Sequence, residues 1–198
     1  MLASGIPLLP DVGVLALPYH RFSARWMTPH HVMTRLASYF HVVWLDPSHG
    51  WREAREQPAR RRAAAKLLRT LPKAFDIYVS EPWLFDVHRP AWLRRRLFET
   101  RMSRAWRRLE ARGCRTLVLH LWHHQFERAL QMNRSHLSLY HIDDEYSFSP
   151  DPPPMAPAER RVIEKVDQVF VISPGLMERK RGINPHMGFA PEGVDYSL

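Results

Sequence analysis

Short apolar runs rich in β-branched residues alternate with stretches of helical periodicity along almost the whole chain, and few architectures accept that pattern. The runs are 12–18 (VGVLALP), 41–46 (HVVWLD), 75–80 (FDIYVS), 115–121 (RTLVLHL), 137–142 (LSLYHI), 168–173 (QVFVIS) and the short 186–190. Between them, helical spacing covers 29–40, about 53–71, 92–112, a segment near 124–132, 158–166 and 174–181. Strands separated by helices must run parallel, because a helix returns the chain to the end of the sheet where the previous strand began. Strands that are apolar nearly throughout are covered on both faces. The expected fold class is α/β: one domain with a Rossmann-like, doubly wound, mostly parallel sheet. The 198 residues of the chain suffice for one such core. The proline-rich stretch 149–157 is short enough to be an ordered crossover within that domain.

On such sheets ligands sit at the carboxyl ends of the strands. The loops to inspect are therefore 19–28, 46–50, 80–90, 121–125, 143–155, 173–176 and 191–198. The first strand is followed by Tyr19-His20-Arg21-Phe22-Ser23-Ala24-Arg25-Trp26 and carries neither G-x-G-x-x-G nor a Walker A loop. That disfavours a dinucleotide oxidoreductase or a P-loop NTPase. There is no G-x-S-x-G, and Cys114 precedes a strand, so hydrolase readings are weak. A single cysteine excludes an internal disulfide and fits a reducing compartment. No apolar run reaches the roughly 18 to 20 residues that a membrane span needs. The segment 1–18 lacks a basic n-region and reads as a lead-in to the first strand rather than a signal peptide.

The strongest chemical feature is Asp143-Asp144-Glu145, three acids leaving the end of a central strand. A carboxylate there serves as a base or orients a sugar hydroxyl; the bland alternative is a solvated acidic turn. Histidines number 12. His120, His123 and His124 end one strand and His141 lies on the next, so they can bind a substrate, pack as ordinary core or, with the acids, ligate a metal. Trp26, Trp83 and Trp122 fall in or near strand-end loops, where an aromatic is a sugar-stacking surface or simply wall.

Charge is uneven. The chain has 29 Lys/Arg against 20 Asp/Glu, but residues 51–112 alone hold 17 against 7, and the remainder is nearly neutral. Arg60, Arg61 and Arg62 mark one basic stretch; Arg94, Arg95 and Arg96 open another, which continues through Arg101, Arg104, Arg107 and Arg108. Both read as amphipathic helices. Their basic sides are either solvated faces or a basic surface for anionic lipid or another polyanion. No zinc-finger spacing, helix-turn-helix signal or RNA-binding aromatic motif supports nucleic acid as a partner.

The order of these motifs resembles the amino-terminal half of retaining GT-B glycosyltransferases of the group 1/family 4 type. The resemblance rests on LYHIDDEYSF, the helix AERRVIEKVD, then Asp167-Gln168-Val169-Phe170-Val171-Ile172-Ser173, Leu176, and Pro191-Glu192-Gly193-Val194-Asp195. Arg25-Trp26, Arg35-Leu36-Ala37 and Val42-Val43-Trp44-Leu45-Asp46-Pro47 fit the first half. Glu192 stands where the family usually has Asn. The resemblance implies an acceptor-side domain whose catalytic contribution comes from Asp143 or Asp144. Arg25, Trp26, Trp122, His123 and Glu145 would line the cleft. It implies transfer of a hexose from a nucleotide-sugar donor to a surface glycan or lipid-linked acceptor, with no metal or other cofactor. In the family, Gly-Val-Asp leads into a second domain that holds most of the donor. Since the sequence stops at Leu198, the expectation is a half enzyme, inactive alone, cytoplasmic and peripheral on the inner membrane face. The alternative from a different class is a non-catalytic basic module on an anionic membrane or polyanion.

Overall fold

The computed structural model describes residues 6–22, 26–47, 57–80, 89–143 and 155–191, with the side chains of Gln57 and Arg60 excepted. Seven strands form one parallel sheet: β1 (Val12–Leu17), β2 (His41–Asp46), β3 (Phe75–Val79), β4 (Thr116–Leu121), β5 (Leu137–Ile142), β6 (Gln168–Val171) and β7 (Met187–Phe189). Their spatial order is β3-β2-β1-β4-β5-β6-β7. The chain winds outward from β1 to β3, crosses back, and winds outward again from β4 to β7. The direction therefore reverses between β1 and β4, the switch point of a doubly wound sheet.

Helices α1 (Thr28–Leu36) and α2 (Gln57–Leu68) connect the first half. They cover one face, where Met33, Ala37 and Ala64 pack on Val14, Ala16, Val42, Trp44 and Ile77. Helices α3 (Ala91–Glu110), α4 (Glu127–Leu130), α5 (Pro157–Lys165) and α6 (Pro174–Lys180) cover the other. There Met102, Trp106, Ala129, Val162, Ile163 and Leu176 pack on Leu15, Leu17, Val43, Leu119 and Val169. Alternate residues of β1 thus enter different cores, which is why its sequence shows no polar face.

Local chemistry explains the departures from the expected elements. The segment expected to be helical near 124–132 is a 3-10 turn, His124–Phe126, followed by the one-turn α4. The His123 side chain accepts the Gln125 N–H and tightens that first turn. Gly13 is required by proximity: a Cβ there would meet Cβ and Sγ of Cys114 at 3.0 Å and Cβ of Leu109 at 3.1 Å, where the end of α3 returns to the sheet.

Two polar anchors tie the second half together. Asp167 accepts from the Ser138 N–H at 2.7 Å and from its hydroxyl at 2.6 Å, pinning the start of β6 to β5. Asn184, buried, donates to the carbonyls of Ile163 and Val166 at 2.6 and 2.8 Å and closes the end of α5. Asp167 belongs to the motif that suggested the family resemblance, and its observed contacts are structural.

The concentration of basic residues in one third of the chain suggests a basic face, and the structure corrects that in two ways. Arg101 is a buried residue, 6% exposed, whose Nε donates to Ser80 Oγ at 2.9 Å just past β3. The two basic stretches do not form one face, because α2 and α3 lie on opposite sides of the sheet. Helical periodicity places arginines on one side of their own helix but cannot relate that side to another helix. No described helix is long and apolar enough to cross a membrane.

Candidate functional site

The strand-end loops flanking the switch point follow β1 and β4. After β1, Tyr19 and His20 meet ring to ring at 5.2 Å. After β4, His123 stacks on Tyr19 at 4.8 Å and on His124 at 4.2 Å, both at 28°. A Tyr-His cluster therefore bridges the two strands whose connections diverge, with the Tyr19 ring 44% exposed at its rim. Asp143 leaves the next strand, β5, on the same edge and is half-buried.

His123 has a defined chemical state. Its Nδ1 accepts the Gln125 N–H at 3.1 Å, so a neutral ring carries its proton on Nε2. Burial, with the nearby His124 and His20, lowers its pKa to about 4. Near pH 7 this imidazole is a hydrogen-bond donor at Nε2 and not a base there. Burial also lowers the pKa of His124, opposed by Glu159 and assisted by Lys180. Those two form a buried ion pair at 2.7 Å between α5 and α6, close behind the cluster.

The loop after β1 is held by side chains from two other elements. Asp46, ending β2 and 5% exposed, accepts the Phe22 N–H at 2.9 Å. His30, fully buried on α1, accepts the Met27 N–H at 3.1 Å through Nδ1 and pairs through Nε2 with the Arg21 carbonyl at 3.1 Å. Above it, Trp26 stacks on His30 at 6.0 Å and meets His31 edge-on at 5.1 Å, yet remains 42% exposed. Its exposed ring makes it available for stacking on a sugar.

Of the residues expected to line the cleft, His123 and Trp26 are at the strand-end rim, and Trp26 belongs to a second aromatic group with Phe22 and His30. Trp122 is a correction. It is 2% exposed and packs nearly parallel to His120 at 5.0 Å and to His141 at 4.3 Å, so it is core and not a ligand surface. Its position directly after β4 continues that strand's alternation inward. Arg25, Trp83, Asp144 and Glu145 lie outside the described residues. Arg61, Arg62 and Arg94 to Arg96 are exposed on their helices. The side chain of Arg60 lies outside the described residues.

His120 and His141 run beneath the edge as a stack from β4 to β5, with ring planes within 9° of each other. Stacked rings present faces, not converging nitrogens. Among the described residues no three His, Cys, Asp or Glu side chains gather as a metal site would require. Burial lowers the pKa of His120 to about 3 and of His141 to about 4, so both are neutral core residues. Tyr19 and Asp46 were not singled out in the sequence as site residues. Their positions at strand ends were the available signal; their partners, 104 and 24 residues away, were not.

No protein-family model, no curated protein and no solved structure matches this chain.

Proposed function

We propose that this domain is the acceptor-side domain of a glycosyltransferase, which presents a surface-glycan or lipid-linked hydroxyl to a hexose carried by a nucleotide sugar. The observation that carries the reading is the placement, after the adjacent strands β5 and β4 on one strand-end edge, of a half-buried carboxylate, Asp143, and a neutral imidazole, His123. An acceptor hydroxyl needs a group that takes or orients its proton, and a carboxylate suits that role. His123 Nε2–H donates to a neighbouring sugar oxygen. Tyr19 and Trp26 supply exposed rings for the apolar faces of a sugar. Asp144, Arg25 and Glu145 belong to the same loops in sequence. The donor would be held mainly by a second α/β domain, as the family resemblance implies, with no metal or other cofactor.

The test is saturation-transfer NMR of the purified chain against oligosaccharides, lipid-linked saccharides and nucleotide sugars. Saccharide signals that weaken at least about tenfold in affinity in Asp143→Asn and His123→Gln, with both variants folded, support the reading. The scale is that expected for lost hydrogen bonds to a charged or polar partner. Saccharide binding unaffected by both substitutions refutes it. Transfer from a nucleotide sugar by this chain alone refutes the division of labour between domains.

One observation favours a second reading, attachment to an anionic membrane. Trp92 is 67% exposed two residues before the exposed Arg94 to Arg96, an aromatic and a basic cluster at the start of one helix. Co-sedimentation with anionic vesicles, lost on replacing all three arginines by glutamine, supports it; unchanged co-sedimentation refutes it.

A further inference from the structure

A concave feature of this molecule lies away from the strand-end cluster. Between α3 and α4 lies a groove of about 520 Å³. Among the described residues its wall includes five arginines, Arg95, Arg96, Arg104 and Arg107 from α3 and Arg128 from α4, and one acidic residue, Glu99. Residues 96, 100, 103, 104 and 107 recur at helical spacing, so one side of α3 faces the groove while Leu97, Met102, Trp106 and Leu109 face the core. Glu99 is already engaged, accepting from Arg95 Nε at 2.8 Å. The Nε of Arg128 is buried and has no hydrogen-bond partner among the described residues. Ser103 and Gln131 add neutral polar groups to the wall.

Like charges gathered in a concavity repel one another, and low-dielectric walls strengthen that repulsion and the pull on a counter-ion alike. Guanidinium groups bind phosphate oxygens through paired N–H donors, and several converging on one site favour a ligand with many anionic oxygens. The volume fits a small ligand or a headgroup.

We propose that the α3–α4 groove is a binding site for a phosphate- or diphosphate-bearing anion. The site does not depend on the glycosyl-transfer reading, because none of its residues belongs to the strand-end cluster. The ligand is either a soluble phosphorylated molecule or a lipid headgroup, since Trp92 and Arg94 flank the same end of α3.

The experiment is calorimetric titration of the whole chain with inorganic pyrophosphate at constant ionic strength. Parallel co-sedimentation uses phosphatidylcholine vesicles containing about one third phosphatidylglycerol. Arg107→Gln with Arg128→Gln removes two groove charges. Arg61→Gln with Arg62→Gln removes two from the opposite side of the sheet and controls for net charge. Arg96→Gln is the second groove variant, should the first pair fail to fold. Binding weakened about tenfold or more by the groove changes and less than about twofold by the control pair supports the site, on the scale of charge-assisted hydrogen bonds. Pyrophosphate binding without vesicle binding identifies a soluble ligand; vesicle binding with the same variant pattern identifies a headgroup. Equal losses in groove and control variants, or no binding of either probe, overturn the proposal.

Discussion

The two imidazoles beneath the strand-end edge make the fold sensitive to acid. His120 and His141 are 3% and 5% exposed, with pKa values lowered by burial to about 3 and about 4 from 6.5. In the unfolded chain both titrate near 6.5. Between pH 6.5 and about 4 the unfolded state therefore holds more protons than the native state, and stability falls as pH falls. Each unit of pH in the middle of that window costs about 1.4 kcal/mol per imidazole. Integrated from neutral pH down to pH 5, the loss is about 2 kcal/mol for each, or about 4 kcal/mol for the pair. That is a large part of the ~5–15 kcal/mol by which a domain is ordinarily stable. The assay is urea unfolding followed by circular dichroism at several pH values between 7.5 and 5. The double variant His120→Leu, His141→Leu removes both titrations and should remove about 4 kcal/mol of the loss between pH 7 and 5, leaving the slope due to His123, whose pKa burial also lowers to about 4. Both ring nitrogens of His120 and Nε2 of His141 lack hydrogen-bond partners among the described residues, so the double variant should be about as stable as the parent at pH 7.5. A parent whose stability changes by less than about 1 kcal/mol between pH 7.5 and 5, or a double variant that keeps the parent's slope, refutes the reasoning.

Two further predictions concern packing, each read from urea unfolding. Lys180→Met leaves Glu159 buried without its 2.7 Å partner and should cost about 3–5 kcal/mol; adding Glu159→Leu should recover most of it, and failure to recover would mean that the pair is not acting as a unit. Gly13→Ala should cost about 1–3 kcal/mol by forcing a Cβ into Cys114 and Leu109; Cys114→Ala should then relieve part of the cost, because Sγ is one of the two closest atoms.

Much of the architecture was legible in the sequence for identifiable reasons. All seven strands were expected, and β2 and β5 match to the residue, because both-face burial makes each strand a mostly apolar run. The helix expected after β4 was the weakest element, since a 3-10 turn and a single α turn are too short for periodicity to show. The strand-end loops were also identifiable, because any parallel sheet gathers its carboxyl ends on one edge. Which loop residues face out was less legible. Trp26 is exposed and Trp122 is core, although both are tryptophans near strand ends.

The strands, their parallel direction, the position of Asp143 at a strand end and the concentration of basic residues in one third of the chain all follow from the order of the amino acids. These are properties of short windows, where periodicity and composition act locally. The folded structure sets the strand order, with its switch point between β1 and β4, since pairing is a contact between distant segments. It also puts the basic helices on opposite faces, buries Arg101 against Ser80 and forms a basic groove between α3 and α4. The same is true of the histidines. Alike in sequence, His120 packs in the sheet and His123 caps a turn at its edge, because alternation and distant neighbours set burial and proton position.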